Sequence, residues 1–433
     1  MSFNNKSDIS NMRNLRHTYA KPDTRNPVAK LLTILLMVLL QAACGGGGGS
    51  TATPPAATTP TTPVVPAPPA MVGNTQDVVI DAGPADTVNS LFTSVTICEP
   101  GSNTACQTID HVQVDTGSVG LRLLSSVVQP SLKLIQKTAQ NGNALVECTQ
   151  FADGYSWGPV KGAAVKLAGQ TASGVPIQII GDAAFTDIPP DCSASGPAEN
   201  TVRDFGANGI LGIGNFTNDC GASCVTSNTQ GLYYACGPTG CTPTTASATQ
   251  QVQHPVAMLP TNNNGVVLRL PAIAEPGATS ATGTMTLGIG TQANNALGSA
   301  KVLTVDPVSG TFTITLAGKA YPGSFVDSGS NGYFFPSNTP LCSSKFFCPP
   351  STLTFNTVLQ GKNGVNAGFS FNIANADNLF RQNPTFAVLP ALGGSGFDNT
   401  SVDLGLGFYL GRSVFTAIEG KSTPGGNGPY IAF

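Results

Sequence analysis

The sequence predicts an all-β protein built from two similar halves. The 433-residue chain has 50 glycines and 33 prolines but only 10% charged residues, a composition typical of turn-rich β proteins rather than helical bundles. Short runs rich in Val, Ile, Thr and Phe are separated by Gly, Asn and Pro throughout. One segment, Val-Asp-(Thr/Ser)-Gly-Ser-x-Gly, occurs twice, at 114–120 and at 326–332. This internal repeat is the most informative feature of the chain.

Residues 1–43 are predicted to be an export signal rather than part of the fold. Lys30 precedes the apolar run 31–40, which is too short to span a bilayer but typical of a secretory signal. The run ends in Leu-Gln-Ala-Ala-Cys and resembles a bacterial lipoprotein signal, in which Cys44 would be lipidated. Ordinary signal-peptide cleavage is the alternative, and Met12 is an alternative start of translation.

A tether is expected after the signal, over residues 44–76. It begins with Cys44 and five glycines, carries no charged residue, and has seven prolines within 51–70. Such segments form extended, partly flexible linkers. We therefore expect a lipid anchor in the bacterial envelope, at the outer membrane or cell surface, with a periplasm-facing position as the alternative.

The cysteines indicate disulfide bonds. The chain has 11, and removing Cys44 leaves ten, an even number that is typical of a disulfide framework in an exported protein. Cys98 with Cys106, and Cys342 with Cys348, are plausible short-loop pairs. The other candidates, whose connectivity stays open, are Cys148, Cys192, Cys220, Cys224, Cys236 and Cys241. A zinc site in the 220–241 cluster is the alternative, which an oxidising compartment disfavours.

The first half, residues 77–296, contains strand patterns around one acidic turn. In 111–126, apolar residues alternate with polar ones up to Asp115, and the apolar pattern resumes at Leu121. Residues 151–162 have the glycine-bounded pattern of a hairpin. Further strands are expected over 163–167, 175–180, 265–270 and 284–289, with an apolar stretch between glycines at 208–214.

The second half, residues 297–433, orders its parts in the same way. Strands are expected over 301–305 and 311–316, before the turn at Asp327. An apolar segment with glycines follows at 403–415. Repetition on this scale indicates two lobes of similar build, 77–296 and 297–433.

Asp115 and Asp327 each stand where a strand enters a glycine turn. A carboxylate between apolar strands is costly unless it is hydrogen-bonded or used in chemistry. One Asp-(Thr/Ser)-Gly-Ser match carries little information, but two matches with the same flanking residues are hard to attribute to chance. The pair is therefore the candidate site.

The two turns resemble those of the pepsin-like aspartic proteases. The resemblance covers 77–433 and implies two β-barrel lobes about a pseudo-two-fold axis, with a catalytic cleft between them. It implies that Asp115 and Asp327 are the catalytic pair. It also implies that Thr116 and Ser328 bond across the loops, that Gly117 and Gly329 permit the turns, and that Ser118 and Ser330 bond the carboxylates.

Other family features have partial counterparts. Residues 210–212, Ile-Leu-Gly, resemble the apolar element beneath the first loop, and 404–405, Leu-Gly, match the second less well. Tyr155 is the candidate flap tyrosine, although Ser156 replaces the usual glycine; an ordinary turn tyrosine is the alternative. Arg122 stands where many relatives have tryptophan, which affects the expected substrate subsites. The chain equally resembles exported bacterial proteins of unassigned function.

The resemblance implies an aspartic-type endopeptidase. Two carboxylates at hydrogen-bonding distance hold one proton between them, so one can activate a water while the other polarises the peptide carbonyl. We expect a peptide or protein substrate, no cofactor, no metal and a monomer. The alternatives are a catalytically silent pepsin-fold binding or inhibitor-like protein, and an unrelated β-rich surface protein.

Other function classes fit poorly. After residue 30 the chain has 14 basic and 21 acidic residues, a net charge of 14 − 21 = −7, which argues against nucleic-acid binding. A Ser-His-Asp triad would need His111 or His254, and no Gly-x-Ser-x-Gly elbow is present. No HExxH helix, phosphate-binding loop or dinucleotide fingerprint occurs in the sequence.

Overall fold

Strands are the main regular secondary structure, which confirms the all-β prediction. The computed structural model describes residues 73–229 and 231–433. The helices in this part of the chain are short connections: α1 (Pro190–Ser193), α2 (Val202–Phe205), α3 (Ala222–Thr226) and α4 (Ala376–Gln382). None of the described helices has the length and apolar character needed to cross a membrane. The predicted export signal, Cys44 and residues 45–72 of the tether lie outside the described residues.

The described residues form 25 strands. They are β1 (Thr75–Ile80), β2 (Leu91–Cys98), β3 (Cys106–Asp115), β4 (Val119–Leu124), β5 (Ile135–Gln136), β6 (Ala144–Gln150), β7 (Tyr155–Leu167), β8 (Gln170–Ile180), β9 (Gly209–Ile213), β10 (Tyr233–Gly237), β11 (Gly240–Pro243), β12 (Gly265–Arg269), β13 (Ala281–Leu287), β14 (Val302–Thr304), β15 (Phe312–Leu316), β16 (Lys319–Val326), β17 (Tyr333–Phe335), β18 (Leu353–Gln360), β19 (Asn366–Ile373), β20 (Gly393–Ser395), β21 (Asp403–Leu404), β22 (Ser413–Ala417), β23 (Ser422–Thr423), β24 (Gly426–Asn427) and β25 (Tyr430–Ala432).

Six strands close into a barrel. The large sheet runs β7-β8-β4-β9-β3-β2, and β2 pairs again with β7, which completes the ring. Near the start of β3 buried and exposed side chains alternate, with Ile109 buried between exposed Thr108 and Asp110. From Val112 to Asp115, however, every residue is buried. Alternation ends there because β9 pairs with this end of β3, inside the sheet. The first acidic turn therefore begins in the core.

The large sheet continues through strands from both halves of the sequence. Beyond β2 the order is β1-β13-β12-β22-β25-β14. Strand β12 pairs antiparallel with β22, so residues on either side of the predicted boundary at 296/297 share one ladder. The two halves are therefore joined by backbone hydrogen bonds as well as by side-chain packing.

A second sheet of seven strands carries the other acidic turn. Its order is β19-β18-β15-β16-β21-β17-β20. Its core is rich in aromatic rings, and Tyr333 stacks on Phe371 with ring centroids 4.3 Å apart. These side chains belong to the same main core as the apolar residues of the barrel. Offset and edge-to-face ring pairs of this kind stabilise a core beyond simple area burial.

Five disulfide bonds confirm the cysteine prediction. The two predicted short-loop pairs are present, Cys98–Cys106 and Cys342–Cys348. The remaining bonds are Cys148–Cys192, Cys220–Cys224 and Cys236–Cys241. The 220–241 cluster is thus two disulfides, and the alternative of a zinc site there is wrong because a cystine sulfur is no longer a thiolate ligand.

Candidate active site

The two acidic loops are held by the same strand arrangement. In the first, β3 runs parallel to β9, which pairs antiparallel with β4 on its other side, and Asp115 lies opposite Gly212. In the second, β16 runs parallel to β21, which pairs antiparallel with β17. There the amide of Asp327 donates to the carbonyl of Leu404 at 3.1 Å. Leu404 and Gly405 thus occupy the same position beneath the second loop as Leu211 and Gly212 occupy beneath the first, despite their weaker sequence match.

Asp115 and Asp327 face each other. The Gly117 amide donates to Oδ1 of Asp115 at 2.8 Å and to Oδ1 of Asp327 at 3.1 Å. The Gly329 amide donates to Oδ1 of Asp327 at 2.7 Å. Residues 212 positions apart in sequence therefore both present Oδ1 to one shared amide, that of Gly117.

Both loop glycines are required by close approach. A Cβ on Gly117 would lie 2.7 Å from Cγ of Asp327, and a Cβ on Gly329 would lie 2.5 Å from Oδ1 of Asp115. Such distances are well inside van der Waals contact. Each loop can therefore approach the opposite aspartate only because its glycine lacks a side chain.

The outer oxygens are held by the following serines. Ser118 donates through Oγ to Oδ2 of Asp115. Ser330 donates through Oγ to Oδ2 of Asp327 at 3.0 Å. The hydroxyls fix the planes of both carboxyl groups, as expected of the two serines in the repeated segment.

Thr116 and Ser328 bond across the interface between the loops. The Ser328 amide donates to Oγ1 of Thr116 at 3.0 Å, and the Thr116 amide donates to Oγ of Ser328 at 3.2 Å. Ser328 Oγ in turn donates to the carbonyl of Val114 at 2.9 Å. This reciprocal set links the two loops beneath the aspartates and fixes their separation.

A tyrosine and a glutamine extend this link. The hydroxyls of Tyr409 and Thr116 are 2.6 Å apart. Removal from water raises the pKa of the Tyr409 phenol well above its usual range, so the group stays protonated. Gln113 donates through Nε2 to the carbonyl of Gly329 at 3.0 Å. Sequence reasoning missed both residues.

The carboxyl pair is buried. Asp115 and Asp327 are each 0% exposed. Removal from water raises the pKa of Asp327 well above its usual range, and the charges of Asp115 and Asp403 raise it further. The pair therefore retains a proton at pH values where exposed carboxyl groups have lost theirs.

Tyr155 is not beside the carboxyl pair. It is 6% exposed at the start of β7 and packs with Trp157, Cys148, Cys192 and Tyr234 in a small separate core. No hydrogen bond between described residues links its hydroxyl to either loop. A hairpin is present, but its strands are β6 and β7, so the predicted range 151–162 covers only its turn and part of β7. A flap role for Tyr155 stays a prediction.

Arg122 lies at the centre of a buried charge network. Its Nη2 is 2.6 Å from Oε1 of Glu147 and 3.3 Å from Oδ2 of Asp219, and its Nη1 donates to the Val119 carbonyl at 2.7 Å. Tyr233 donates to Asp219 at 2.8 Å. Burial opposes the guanidinium charge, but the two carboxylates outweigh it and the pKa of Arg122 is raised. The network ties β4, which follows the first loop, to the β6–β7 hairpin.

A small cavity adjoins the first loop. Its volume is about 40 Å³, room for one or two waters. Residues 116–119 line one side and Ser309 and Gly310 another, so both halves of the chain contribute. The cavity does not reach either carboxyl group.

His111 and His254, the histidines in the described part of the chain, do not form a hydrolytic triad. His111 contacts Asp110 at 3.1 Å and Asp81 at 3.3 Å. His254 is buried, burial lowers its pKa to about 4, and its Nδ1 accepts from the Val256 amide at 3.2 Å. In the described part of the chain neither ring bonds a serine hydroxyl, which a triad requires.

The described residues offer one group of three side chains at metal-ligand spacing, Cys342, Cys348 and Asp377. The two cysteines form a disulfide, so the group does not suit a metal. The carboxyl groups around Asp327 do not converge closely enough to form such a group. The candidate site is thus a pair of carboxyls in hydrogen-bonded loops.

Comparison with known proteins places the chain in a family. A family model described as a protein of unknown function, DUF3443, matches residues 70–433. The chain belongs to the DUF3443 family. No curated protein matches it. The match covers both acidic loops of this DUF3443 protein, together with the barrel and the second sheet.

One further buried acid of the DUF3443 protein escaped sequence reasoning. Asp403 opens β21 and is 0% exposed. The signal that could have found it is its place in Asp-Leu-Gly, where the corresponding segment of the first half has Ile-Leu-Gly. A charged residue at an apolar position of a repeated element is costly and therefore informative.

Proposed function

We propose that this protein is an aspartic-type endopeptidase, with Asp115 and Asp327 as its catalytic pair. The observation that carries the proposal is the Gly117 amide, which bonds Oδ1 of both aspartates. Peptide hydrolysis by this chemistry needs two carboxyls close enough to share a proton. The hydroxyl bonds from Ser118 and Ser330, and the crossed bonds of Thr116 and Ser328, support it.

The reaction follows from the shared proton. The ionised carboxylate takes a proton from a water, whose oxygen attacks the peptide carbonyl carbon, while the protonated carboxyl donates its proton to the carbonyl oxygen. The tetrahedral intermediate then collapses: one of its hydroxyls returns a proton to the ionised carboxylate, the C–N bond breaks, and the leaving nitrogen receives the proton held by the other carboxyl. Because the titration belongs to the pair, neither residue is assigned permanently as acid or base.

We further propose the two-lobed, pseudo-two-fold arrangement of pepsin-like proteases for residues 77–296 and 297–433. The matching strand triplets β3-β9-β4 and β16-β21-β17 support it, since each holds one aspartate at the end of its first strand. Between the triplets, the crossed Thr116 and Ser328 bonds are what a two-fold relation would produce.

A peptide must reach carboxyl groups that are 0% exposed. The proposal therefore requires the segments around the loops to open when substrate binds. Exclusion of water around the reacting atoms would strengthen the electrostatic interactions there.

The same burial favours a second candidate function, a catalytically silent binding or inhibitor-like protein with the same loops. In that case the loops would stabilise the junction between the lobes, and partner capture would not require the carboxyls. Replacement of either aspartate by asparagine would then leave capture unchanged, whereas it would abolish hydrolysis by an enzyme.

We propose that the protein acts at the bacterial envelope as a lipid-anchored monomer. The Leu-Gln-Ala-Ala-Cys segment ending at Cys44 and the five disulfides support export. Mass spectrometry of the protein isolated from membranes would test lipidation. The expected result is an N-terminal Cys44 that carries a diacylglyceryl group.

The function is tested by incubating the purified full chain with unfolded casein from acidic to neutral pH, with and without pepstatin. The proposal predicts cleavage that is fastest at acidic pH and blocked by pepstatin. Cleavage that pepstatin does not affect, or no cleavage by a folded and disulfide-bonded protein at any pH, would contradict it.

A further inference from the structure

Asp403 is a buried carboxyl with no hydrogen-bond partner. Neither of its oxygens has one among the described residues, and the side chain is 0% exposed. Unpaired carboxylates are rarely buried, because removal of the charge from water costs several kcal/mol or more. The Asp403 carboxyl is therefore either protonated in the folded state or retained for a specific role.

The position of Asp403 is directly behind Asp327. It pairs with Phe325 on β16 and with Phe334 on β17, the strands on either side of the second loop. The next residue, Leu404, receives the amide of Asp327. Ser330, which donates to Asp327, also lies close enough to favour the ionised form of Asp403.

The fold itself does not require an acid at this position. In the first loop the corresponding residue is Ile210, which pairs with Gln113 as Asp403 pairs with Phe325. Ile210 is fully buried and packs in an apolar cluster. An apolar side chain thus satisfies the same strand pairing, so the carboxyl of Asp403 is a feature of the second loop alone.

The charges around Asp403 oppose its ionisation. Burial raises its pKa well above the usual range, the Ser330 hydroxyl partly offsets this, and the charge of Asp115 raises it again. The titratable groups facing it are Asp115 and Asp327 from the two loops and the Tyr409 phenol from the segment after β21. None of these supplies a positive charge.

We propose that Asp403 is a positioning residue, a third carboxyl behind the catalytic pair that is protonated at acidic pH and that, when it ionises at higher pH, repels the charge of Asp327. This inference rests on the proposed function for its catalytic consequence, but its protonation can be tested without any activity. An ionised Asp403 disfavours ionisation of Asp327, so the pair keeps its shared proton to higher pH than it would beside an apolar residue.

The test compares the wild-type full chain with Asp403→Asn, an uncharged variant of the same shape, and with Asp403→Ile, which copies Ile210. Denaturant unfolding across pH gives the stability of each. A carboxyl whose folded pKa is raised loses its stabilising contribution as pH rises from its unfolded value of about 4 toward its folded value, at up to about tenfold in the unfolding constant per pH unit. Both variants should lose this part of the pH dependence.

Asp398→Asn is the matched control. Asp398 accepts from the amides of Thr400 and Ser401, and these bonds outweigh its partial burial and lower its pKa. The contribution of Asp398 to stability is present above its unfolded pKa and is lost as pH falls, which is opposite in sign to that of Asp403. Asp398→Asn should therefore weaken the protein at neutral pH and leave the acidic end unchanged.

Two outcomes decide the proposal. If Asp403→Asn and Asp403→Ile both keep the wild-type pH dependence of unfolding, Asp403 is not a buried protonated acid and the proposal is overturned, whatever the activity. If Asp403 is coupled to the pair, Asp403→Asn should change the pH dependence of unfolding less in an Asp327→Asn background than in the wild-type background. An equal change in the two backgrounds overturns the coupling. In an active protein the upper apparent pKa of the rate profile should fall in Asp403→Asn, whereas a wild type that hydrolyses nothing refutes only the proposed function.

Discussion

The backbone amide of Gly117 donates a hydrogen bond to Oδ1 of Asp327, at 3.1 Å, from a loop more than 200 residues away in sequence. The same amide bonds Oδ1 of Asp115 at 2.8 Å. One donor shared by two acceptor-only groups is favourable for both carboxylates, but it cannot remove the repulsion between them. A shared proton does so, and that proton is the basis of the proposed chemistry.

Replacement of Gly329 by alanine should disrupt the pair. The new Cβ would lie 2.5 Å from Oδ1 of Asp115, a group already fixed by Ser118 and by the Gly117 amide. We expect a loss of about 1–3 kcal/mol of stability from the forced shift. Hydrolysis should fall by about 100-fold, since small displacements of reacting groups are costly. Chemical denaturation and casein cleavage measure the two effects.

Gly368→Ala is the control for that substitution. Gly368 lies on β19, and a Cβ there would meet nothing within 4 Å. We expect a change within about 0.5 kcal/mol and unaltered cleavage. Equal effects of the two substitutions would show that the approach of Gly329 to Asp115 is not what the site depends on.

The bond between Thr116 and Tyr409 should couple the first loop to the segment after β21. Thr116→Val removes the acceptor of the Ser328 amide and the partner of the Tyr409 hydroxyl, so we expect a loss of about 1–3 kcal/mol. A double-mutant cycle with Tyr409→Phe should give a coupling of about 0.5–3 kcal/mol. Thr96→Val, in the exposed Thr96–Thr108 pair, is the control and should cost little. Strict additivity of Thr116→Val and Tyr409→Phe would rule out a direct bond.

Arg122→Met should be strongly destabilising at neutral pH. It would leave Glu147 and Asp219 buried without their guanidinium partner, a loss expected to cost about 3–5 kcal/mol. Burial and the charge of Glu147 raise the pKa of Asp219 well above its usual range, and loss of the Arg122 cation removes a charge that lowers it. The cost should therefore shrink as pH falls toward the unfolded pKa of about 4.

Denaturation of Arg122→Met at acidic and neutral pH measures this dependence. Arg381→Met is the control, because Arg381 is exposed and donates to Oδ1 of Asn378 within α4. Its effect should be small at both pH values. A loss in Arg122→Met that is as large at acidic pH as at neutral pH would mean that cavity formation, not unpaired charge, sets the cost.

The local features of the site could be predicted from the sequence. A strand that enters Asp-(Thr/Ser)-Gly-Ser has few possible backbone paths, so the strand, the turn and the roles of the adjacent glycine and hydroxyls follow from short-range patterns. The repeat then indicated that two such turns belong together. Disulfides were predictable where only two cysteines lie near each other in sequence, as for Cys98–Cys106 and Cys342–Cys348, but not within the four-cysteine cluster at 220–241.

Long-range contacts were not predictable in the same way. Asp403 reaches Asp327 through the parallel pairing of β16 with β21, which no local pattern specifies. The sequence showed that Arg122 replaces the tryptophan of many pepsin-like proteases. Its partners Glu147 and Asp219 could not be predicted, because they lie 25 and 97 residues away. Tyr155 shows the limit within one hairpin. Because side chains alternate along a strand, Tyr155 shares its face with Trp157 and packs with it in a separate core.

The most direct test of the central claim is the rate of casein cleavage at acidic pH by the wild type, Asp115→Asn, Asp327→Asn and Asp398→Asn. Asp398 lies between β20 and β21 and accepts hydrogen bonds from the backbone amides of Thr400 and Ser401, so its variant controls for the loss of a carboxyl as such. The account predicts that either dyad variant loses at least about 100-fold in rate while folding normally, and that Asp398→Asn cleaves like the wild type. Cleavage that survives in Asp115→Asn and Asp327→Asn would contradict the account.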